Sequence, residues 1–201
     1  MKHKCASCKH HSCYTVGKNC TGRSTEEIVA MYGDKERKMM EAAAWVEATF
    51  YNNLTRLQET AQWARAMGYK KLGMAFCIGL SDEAHYIERF FENEGFEFYS
   101  ACCKCGSVNK KELGLKQVRP ELEHEAMCNP KLQAYFLNEK ECDLYLVCGL
   151  CVGHDTIFAS SCNGPVSTLV VKDRVLGHNP LAAIYSRYWK RKLKIQDEDE
   201  I

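Results

Sequence analysis

Residues 71–76 run Lys-Leu-Gly-Met-Ala-Phe, and residues 143–148 run Asp-Leu-Tyr-Leu-Val-Cys. Each is a short apolar segment, which predicts a strand that is buried on both faces. We predict two further strands at 96–101 and 166–171, and helices at 81–93, 130–139 and 180–194. This alternation predicts an α/β fold with a small, doubly wound, mostly parallel sheet of about four strands that is covered by helices.

A helical region is predicted ahead of the first strand. Ser24 and Glu27 form a capping-box pattern, so a short helix should begin there. From about Asp34 as far as Gly68, apolar residues recur every three or four positions, which indicates one long amphipathic helix. We expect Asn52-Asn53 to kink this long helix without ending it.

The composition narrows the classes of function. The chain has 201 residues, with 27 Lys and Arg against 26 Asp and Glu and a formal net charge of +1. Domains that bind nucleic acid usually carry a clear basic excess, so we expect no nucleic-acid partner. No apolar run approaches the roughly 20 residues that cross a bilayer, and the start of the chain lacks the apolar core of a secretory signal. We therefore expect a cytoplasmic protein with no membrane partner.

Thirteen cysteines are the unusual feature of the composition. An odd number cannot pair completely within one chain, and clustered cysteines in a cytoplasmic protein more often bind metals or perform catalysis. If the sheet is parallel, the polar and thiol residues that follow its strands gather at one edge, where such folds bind ligands. These residues are Cys77, Cys102, Cys103, Cys105, Cys128, Cys148, Cys151, His154, Asp155, Lys172, Asp173, Arg174 and His178.

One helix start sharpens this expectation. Cys128-Asn129-Pro130 places Asn at a predicted N-cap and Pro at the first helical position, and His178-Asn179-Pro180 repeats the pattern. Cys128 then lies just outside a helix N-terminus, where the helix dipole favours the thiolate. We expect a second metal or [4Fe-4S] site at Cys77, Cys103, Cys128 and Cys151. The candidate acids and bases are His154, Asp155, Asp173 and His178.

Ordinary structural roles compete with these interpretations. Cysteine is among the most buried residue types, so Cys77, Cys142 and Cys162 can each be simple packing residues. Polar side chains at strand ends often serve the loops themselves, through hydrogen bonds or helix caps. This second interpretation applies to His154, Asp155, Lys172, Arg174 and His178.

The first 23 residues differ from the rest of the chain. They carry four cysteines, and residues 1–20 hold several lysines but no acidic residue. Four thiolates can hold one zinc ion or one [4Fe-4S] cluster, and metal binding would stabilise a segment with so few apolar residues. The expected ligands are Cys5, Cys8, Cys13 and Cys20. We predict a cysteine-rich metal-binding knuckle at 1–23, an α/β domain with a helical N-terminal part at 24–195, and an acidic tail at 196–201.

Four motifs together resemble a known family. They are Ala75-Phe-Cys-Ile-Gly-Leu80, Met127-Cys-Asn-Pro130, Gly149-Leu-Cys-Val-Gly-His-Asp155 and Val171-Lys-Asp-Arg-Val-Leu-Gly-His-Asn-Pro180. The combination resembles an uncharacterised cysteine-rich, metal-binding family, a domain of unknown function. This resemblance extends over nearly the whole chain and implies a metal-binding role. It singles out Cys77, Cys103, Cys128, Cys151, His154 and Asp155.

Three functions remain open, and the sequence does not decide whether the protein is an enzyme. The first is a zinc or iron–sulfur protein whose second, thiolate-rich site supports sulfur or cluster chemistry on a small molecule. The second is a dithiol redox protein that uses Cys148-Gly-Leu-Cys151 with a redox partner protein. The third is a non-catalytic metal sensor or electron carrier with a partner surface at Tyr185, Tyr188 and Trp189.

Overall fold

The computed structural model describes residues 4–196. Residues 1–3 of the predicted knuckle and residues 197–201 of the predicted acidic tail lie outside the described residues. The chain divides into two compact units, with the boundary between Trp45 and Val46. Among the described helices, none has the length and apolar character that crossing a membrane requires.

The helical region begins with two short helices, α1 (Ser12–Thr15) and α2 (Thr25–Val29). Ser24 caps α2 as the sequence predicts, because its side chain accepts a hydrogen bond from the Glu27 N–H and the Glu27 side chain returns one. Residues 5–7 form a single 3-10 turn.

The prediction of one long helix is wrong, because the structure has two. They are α3 (Asp34–Phe50) and α4 (Arg56–Met67). Between them Asn52 adopts a left-handed backbone with φ of 59°, which a continuous helix cannot contain. Thr55 then caps α4 by accepting a hydrogen bond from the Gln58 N–H. The Asn pair therefore ends the first helix instead of kinking it.

The sheet has four strands, which are all parallel. They are β1 (Lys71–Phe76), β2 (Glu97–Cys102), β3 (Leu144–Cys148) and β4 (Val166–Val170). Their order in space is β2-β1-β3-β4. The chain therefore winds from the central pair β1 and β3 in both directions, which confirms the predicted doubly wound α/β fold.

Between β1 and residue 196, five further helices are present. They are α5 (Ser81–Asn93), α6 (Pro130–Glu139), α7 (His154–Ser161), α8 (Ala182–Tyr185) and α9 (Arg187–Leu193), with 3-10 turns at 78–80 and 110–113. The predicted helix at 180–194 is wrong in its extent. Ser186 is extended and caps a separate helix, and α8 begins two residues after Pro180 without an Asn179 cap.

Helices cover both faces of the sheet. On one face, residues of α4 and α5 pack with Leu72, Met74 and Leu146 in one buried cluster. On the other face, residues of α6 and α7 pack with Ala75 and Val147. Neighbouring strand residues thus point to opposite buried layers, which explains why the strands are apolar throughout. The topological switch lies between β1 and β3, and parallel sheets of this kind bind ligands beyond the carboxyl ends of the strands at such a switch.

Candidate functional site

The carboxyl edge of the sheet gathers cysteines from three loops. Cys77 directly follows β1, Cys103 directly follows β2, and Cys128 immediately precedes the cap of α6. The Asn129 side chain accepts a hydrogen bond from the Leu132 N–H at 3.2 Å, and Pro130 is the first residue of α6. The predicted cap is therefore present, and it fixes Cys128 at the start of the helix.

Cys77 lies at one end of this group. Its thiol is buried, which raises its pKa, but two opposing contacts are stronger together. The Gly79 backbone N–H donates to the sulfur, and the Lys172 Nζ donates to Cys77 Sγ at 3.3 Å. The net result is that the pKa of Cys77 lies below its ordinary value, so a lysine ammonium and a backbone dipole stabilise its thiolate.

Cys103 lies in the middle and is only 2% exposed. Its thiol is hydrogen-bonded to Cys128 and to Cys77, and the Ile78 N–H donates to its sulfur at 3.3 Å. The hydrogen bond to Cys128 raises the pKa of Cys103 far above its ordinary value, and burial raises it further. Cys103 therefore keeps its proton, and its hydrogen bond with Cys128 favours the thiolate of Cys128.

Cys128 lies at the other end and is partly exposed. The hydrogen bond from Cys103 is the largest of the effects that lower the pKa of Cys128 to about 5, against an opposing effect of burial. The positive charges of Lys104 and His154 lower it as well, and Lys104 Nζ donates to Cys128 Sγ at 3.5 Å. Cys128 is thus a thiolate at neutral pH.

We name Cys77, Cys103 and Cys128 the edge thiol cluster. It consists of a protonated thiol at Cys103 between Cys77 and the thiolate of Cys128, with a lysine ammonium beside each of the two outer sulfurs. Such an arrangement provides a nucleophile at Cys128, a second thiol within reach at Cys103, and beside that thiol the sulfur of Cys77, whose pKa is lowered.

A buried amide holds two of the loops together beneath the cluster. Gln133 is fully buried on α6, and its Nε2 donates to the Ala101 carbonyl at 2.7 Å and to the Phe76 carbonyl at 3.2 Å. These carbonyls lie just ahead of Cys103 and Cys77, at the ends of β2 and β1. Gln133 therefore links the two strand ends that carry the buried sulfurs.

The structure places Cys151 and Cys148 in different surroundings from the cluster. Cys151 is partly exposed, and its sulfur accepts a hydrogen bond from Arg174 Nη2 at 2.8 Å. Cys148 ends β3 and is fully buried, and burial raises its pKa to about 11. The Cys148–Cys151 motif therefore contains one packing thiol and one surface thiol.

Of the candidate acids and bases, His154 lies closest to the cluster. It begins α7, its charge acts on Cys128, and its Nδ1 is buried without a hydrogen-bond partner among residues 4–196. The other three make local bonds. Asp155 accepts from the Thr156 N–H, Asp173 accepts from the N–H groups of Val175 and Leu176, and His178 Nδ1 accepts from the Asp173 N–H.

The metal predictions require several ligands that converge on one point. Within residues 4–196, no three side chains of His, Cys, Asp or Glu form a group that could hold a metal ion. The edge thiol cluster therefore has the right donor chemistry for a soft metal but lacks a convergent arrangement. The four cysteines of the predicted knuckle are exposed, namely Cys5, Cys8, Cys13 and Cys20. The backbone N–H groups of His11 and His10 lower the pKa of Cys8.

Sequence reasoning missed two residues that define the site. The first is Lys104, which lies within the run Cys102-Cys-Lys-Cys105, where a lysine among cysteines is itself a signal for a stabilised thiolate. The second is Gln133, whose role has no sequence signal. Its hydrogen-bond acceptors, the carbonyls of Phe76 and Ala101, lie 57 and 32 residues away in the sequence.

Comparisons with known proteins agree with the motifs. The family model described as "Protein of unknown function (DUF1847)" matches residues 16–169, a range that contains the whole edge thiol cluster. An uncharacterized protein of Methanocaldococcus jannaschii is 44% identical over 191 residues, which cover 94% of this chain and 97% of that protein. No solved structure matches the chain. The resemblance seen in the cysteine motifs is confirmed, and the chain belongs to the DUF1847 family of proteins of unknown function.

Proposed function

We propose that this protein performs thiol–disulfide exchange at the edge thiol cluster, with Cys128 as the nucleophile and Cys103 as the second thiol. The observation that carries the proposal is the contact between a partly exposed Cys128 and a buried Cys103, beside a lysine ammonium 3.5 Å from the Cys128 sulfur. An accessible thiolate paired with a buried thiol is the arrangement that dithiol exchange requires.

The chemistry has two steps. In the first, the Cys128 thiolate attacks one sulfur of a substrate disulfide, forms a mixed disulfide with it and releases the other half as a thiolate. In the second, Cys103 attacks the Cys128 sulfur, forms the Cys103–Cys128 disulfide and releases the second half of the substrate. The protein dithiol is oxidised by two electrons, and the substrate disulfide is reduced to two thiolates.

Cys77 supports the second step. Cys103 must lose its proton before it can attack, and the pKa of its hydrogen-bonded neighbour Cys77 lies below its ordinary value because the Gly79 N–H and Lys172 donate to the Cys77 sulfur. The Cys103 proton passes to the ionised form of Cys77, which Lys172 favours, and this transfer balances the charge of the step. Of the three cluster cysteines, Cys128 alone is partly exposed, so the substrate disulfide must reach the cluster at Cys128. This substrate is a small-molecule disulfide or the disulfide of a redox partner protein.

The test is trapping with an aromatic disulfide reagent at pH 6, followed by tryptic digestion and mass spectrometry. The native protein should yield peptides 90–104 and 117–131 linked by a disulfide between Cys103 and Cys128. The Cys103→Ser variant should instead retain the reagent on Cys128, because the second step is blocked. The absence of the linked peptides in the native protein would contradict the proposal.

Matched variants separate this dithiol from the one in the Cys148–Cys151 motif. Cys128→Ser should abolish the fast exchange, whereas Cys151→Ser should leave it unchanged. Cys162→Ser serves as the control, since Cys162 is a partly buried thiol on the α7 side that bonds to the Phe158 carbonyl at 3.2 Å. Loss of exchange in Cys151→Ser alone would favour the motif at 148–151 and overturn the assignment.

We propose metal binding as a second function, located at the amino-terminal cysteines. It is supported by four exposed thiols in one short segment that contains lysines and no acidic side chain through residue 20. Four thiolates suit one zinc ion or one [4Fe-4S] cluster, and binding would draw the ligands together as the segment folds around the metal.

A metal or [4Fe-4S] cluster at the carboxyl edge, with Cys151 as a further ligand, is the extended form of this second proposal. Metal analysis of protein purified without oxygen tests both locations. Replacing Cys5, Cys8, Cys13 and Cys20 with Ser should remove one zinc ion per chain, or the four iron atoms of one [4Fe-4S] cluster. Any metal that remains, and that disappears when the edge thiol cluster is replaced, belongs to the edge. Protein that contains neither zinc nor iron would overturn both locations.

A further inference from the structure

The turn after β2 carries a second pair of thiols that the edge thiol cluster does not use. Cys102 is the last residue of β2, and Cys105 lies three residues later, where its N–H donates to the Cys102 carbonyl at 3.1 Å. Both side chains are partly exposed. The Lys104 N–H also points toward the Cys102 sulfur, at 3.5 Å. One tight turn thus contains both members of a Cys-x-x-Cys pair.

The register of the sheet directs Cys102 away from the edge thiol cluster. Cys105 is close enough to Cys102 for the Cys102 charge to act on it. In the sheet, Cys102 lies opposite Phe76, whose side chain packs with the α4 and α5 layer. Cys103, the next residue, packs in the layer of α6 and α7. The alternation of a strand therefore directs Cys102 away from Cys103.

We propose that Cys102 and Cys105 form a second redox-active dithiol, which exchanges with low-molecular-weight disulfides independently of the edge thiol cluster. The proposal does not rest on the proposed function. It rests on two partly exposed thiols in one hydrogen-bonded turn, and on the backbone N–H aimed at the first of them.

The reaction is a two-electron exchange with glutathione disulfide as the probe. Cys102, as its thiolate, attacks one glutathione sulfur and releases one glutathione thiolate. Cys105 then loses its proton to solvent and attacks the Cys102 sulfur, which releases the second glutathione. The S–S bond of the probe is broken, the Cys102–Cys105 bond forms, and the two protein thiols supply the two electrons.

This pair is linked by the chain to the first site. Lys104 and Cys103 lie between its two members, and Lys104 Nζ contacts both Cys128 Sγ and the Ala126 carbonyl. A disulfide between Cys102 and Cys105 would close the turn that contains Cys103 and Lys104. The proposed Cys102–Cys105 disulfide therefore forms in the same turn that places Lys104 beside the Cys128 thiolate.

The sequence offers a direct assay, because trypsin cuts after Lys104. Digestion separates peptide 90–104 from peptide 105–110, and only a disulfide to Cys105 keeps them together. The full-length Cys128→Ser variant is treated with glutathione disulfide, alkylated and digested. We expect the two peptides to be linked, with fragmentation assigning the bridge to Cys102. Since Cys128 is absent, failure of this experiment is distinct from failure of the proposed function.

Additional substitutions in the same background complete the test. Cys102→Ser should lower the yield of linked peptide by at least about tenfold, while Cys103→Ser should leave it unchanged. Cys105→Ala must remove the link altogether, and far-ultraviolet circular dichroism of each variant checks that it is folded. A bridge from Cys105 to Cys103, or glutathione that stays attached to Cys102 or Cys105 without a bridge, would overturn the proposal.

Discussion

Two sets of cysteines in this chain have the same side chain and opposite surroundings. In the edge thiol cluster, lysines and backbone N–H groups face the sulfurs, and the pKa of Cys128 falls to about 5. The second set, which we name the packing cysteines, comprises Cys142, Cys148 and Cys162. Burial raises their pKa values to about 11, 11 and 12. The environment, and not the number of thiols, therefore decides which cysteines are reactive.

The largest expected difference between the two sets is in alkylation at pH 6. Cys128 is mostly thiolate at this pH, whereas Cys148 is almost wholly protonated and fully buried. After allowing for the weaker nucleophilicity of a low-pKa thiolate, Cys128 should react with iodoacetamide at least about a hundredfold faster. Peptide mass spectrometry of timed, quenched samples measures both rates. Similar rates at the two positions would remove the distinction between the sets.

The free energy of unfolding should respond in the opposite order, with a larger loss from a substitution among the packing cysteines than from one at Cys128. A hydroxyl at Cys148 would be buried among apolar side chains, so Cys148→Ser should lower the free energy of unfolding by about 2 kcal/mol. Cys128→Ser changes a partly exposed position and should cost less than about 1 kcal/mol. Urea unfolding of both variants at pH 7 makes the comparison. A larger cost at Cys128 would mean that its main role is structural.

Replacing Lys104 tests whether its ammonium contributes to the lowered pKa of Cys128 in the edge thiol cluster. Lys104→Met removes an ammonium but keeps an apolar stem, so the pKa of Cys128 should rise and its alkylation at pH 6 should slow by about twofold. Lys111→Met is the matched control, because Lys111 lies in the same loop and its Nζ donates to the Glu123 carbonyl at 3.3 Å. Equal slowing in both variants would point to a disturbed loop and not to a lost charge.

The smallest expected effect is an alkaline loss of stability caused by the packing cysteines. Their pKa values are raised in the folded protein, so ionisation from the ordinary value of 9.0 upward favours the unfolded chain. Their contribution is complete below pH 9 and is lost as pH rises toward 11. Between pH 9 and 10, each should cost about 1 kcal/mol of unfolding free energy. The Cys142→Ala variant should show a shallower decline in urea unfolding, and an unchanged slope would contradict the assignment.

Much of the fold follows from the sequence because the strands are buried on both faces. The predicted β1 and the helix at 130–139 have the observed bounds, and β2, β3 and β4 differ by one residue at most at each end. Apolar strands and capped helix starts are local signals, so local reasoning finds them. Parallel topology then predicts which loops share an edge.

The errors have local causes of a different kind. The apolar stripe continues through Asn52, so periodicity alone joins α3 to α4, although Thr55 and Gln58 already form a capping-box pattern in the sequence. Near the C-terminus, Ser186 interrupts a similar pattern. In both places one residue with a non-helical backbone ends the helix, although the apolar residues continue at helical spacing on either side of it. The spacing of apolar residues does not reveal such a break.

The site itself was only partly predictable. Topology brings Cys77, Cys103 and Cys128 to one edge, but it does not reveal that Cys103 donates its proton to a neighbouring sulfur. That detail depends on side-chain contacts with Lys104 and Lys172, which lie 24 and 95 residues from the sulfurs they contact. Such long-range pairs leave no periodic pattern in a single sequence.

The Gln133 side chain has a consequence for dynamics as well as for structure. Its amide is sealed from water and donates to two neighbouring strand ends at once, so neither end can separate without leaving buried polar groups unpaired. Motions that would separate the loop after β1 from the loop after β2 are therefore costly and rare. The spacing of the two buried sulfurs is preorganised before any reactant arrives, and ordering them consumes none of its binding energy.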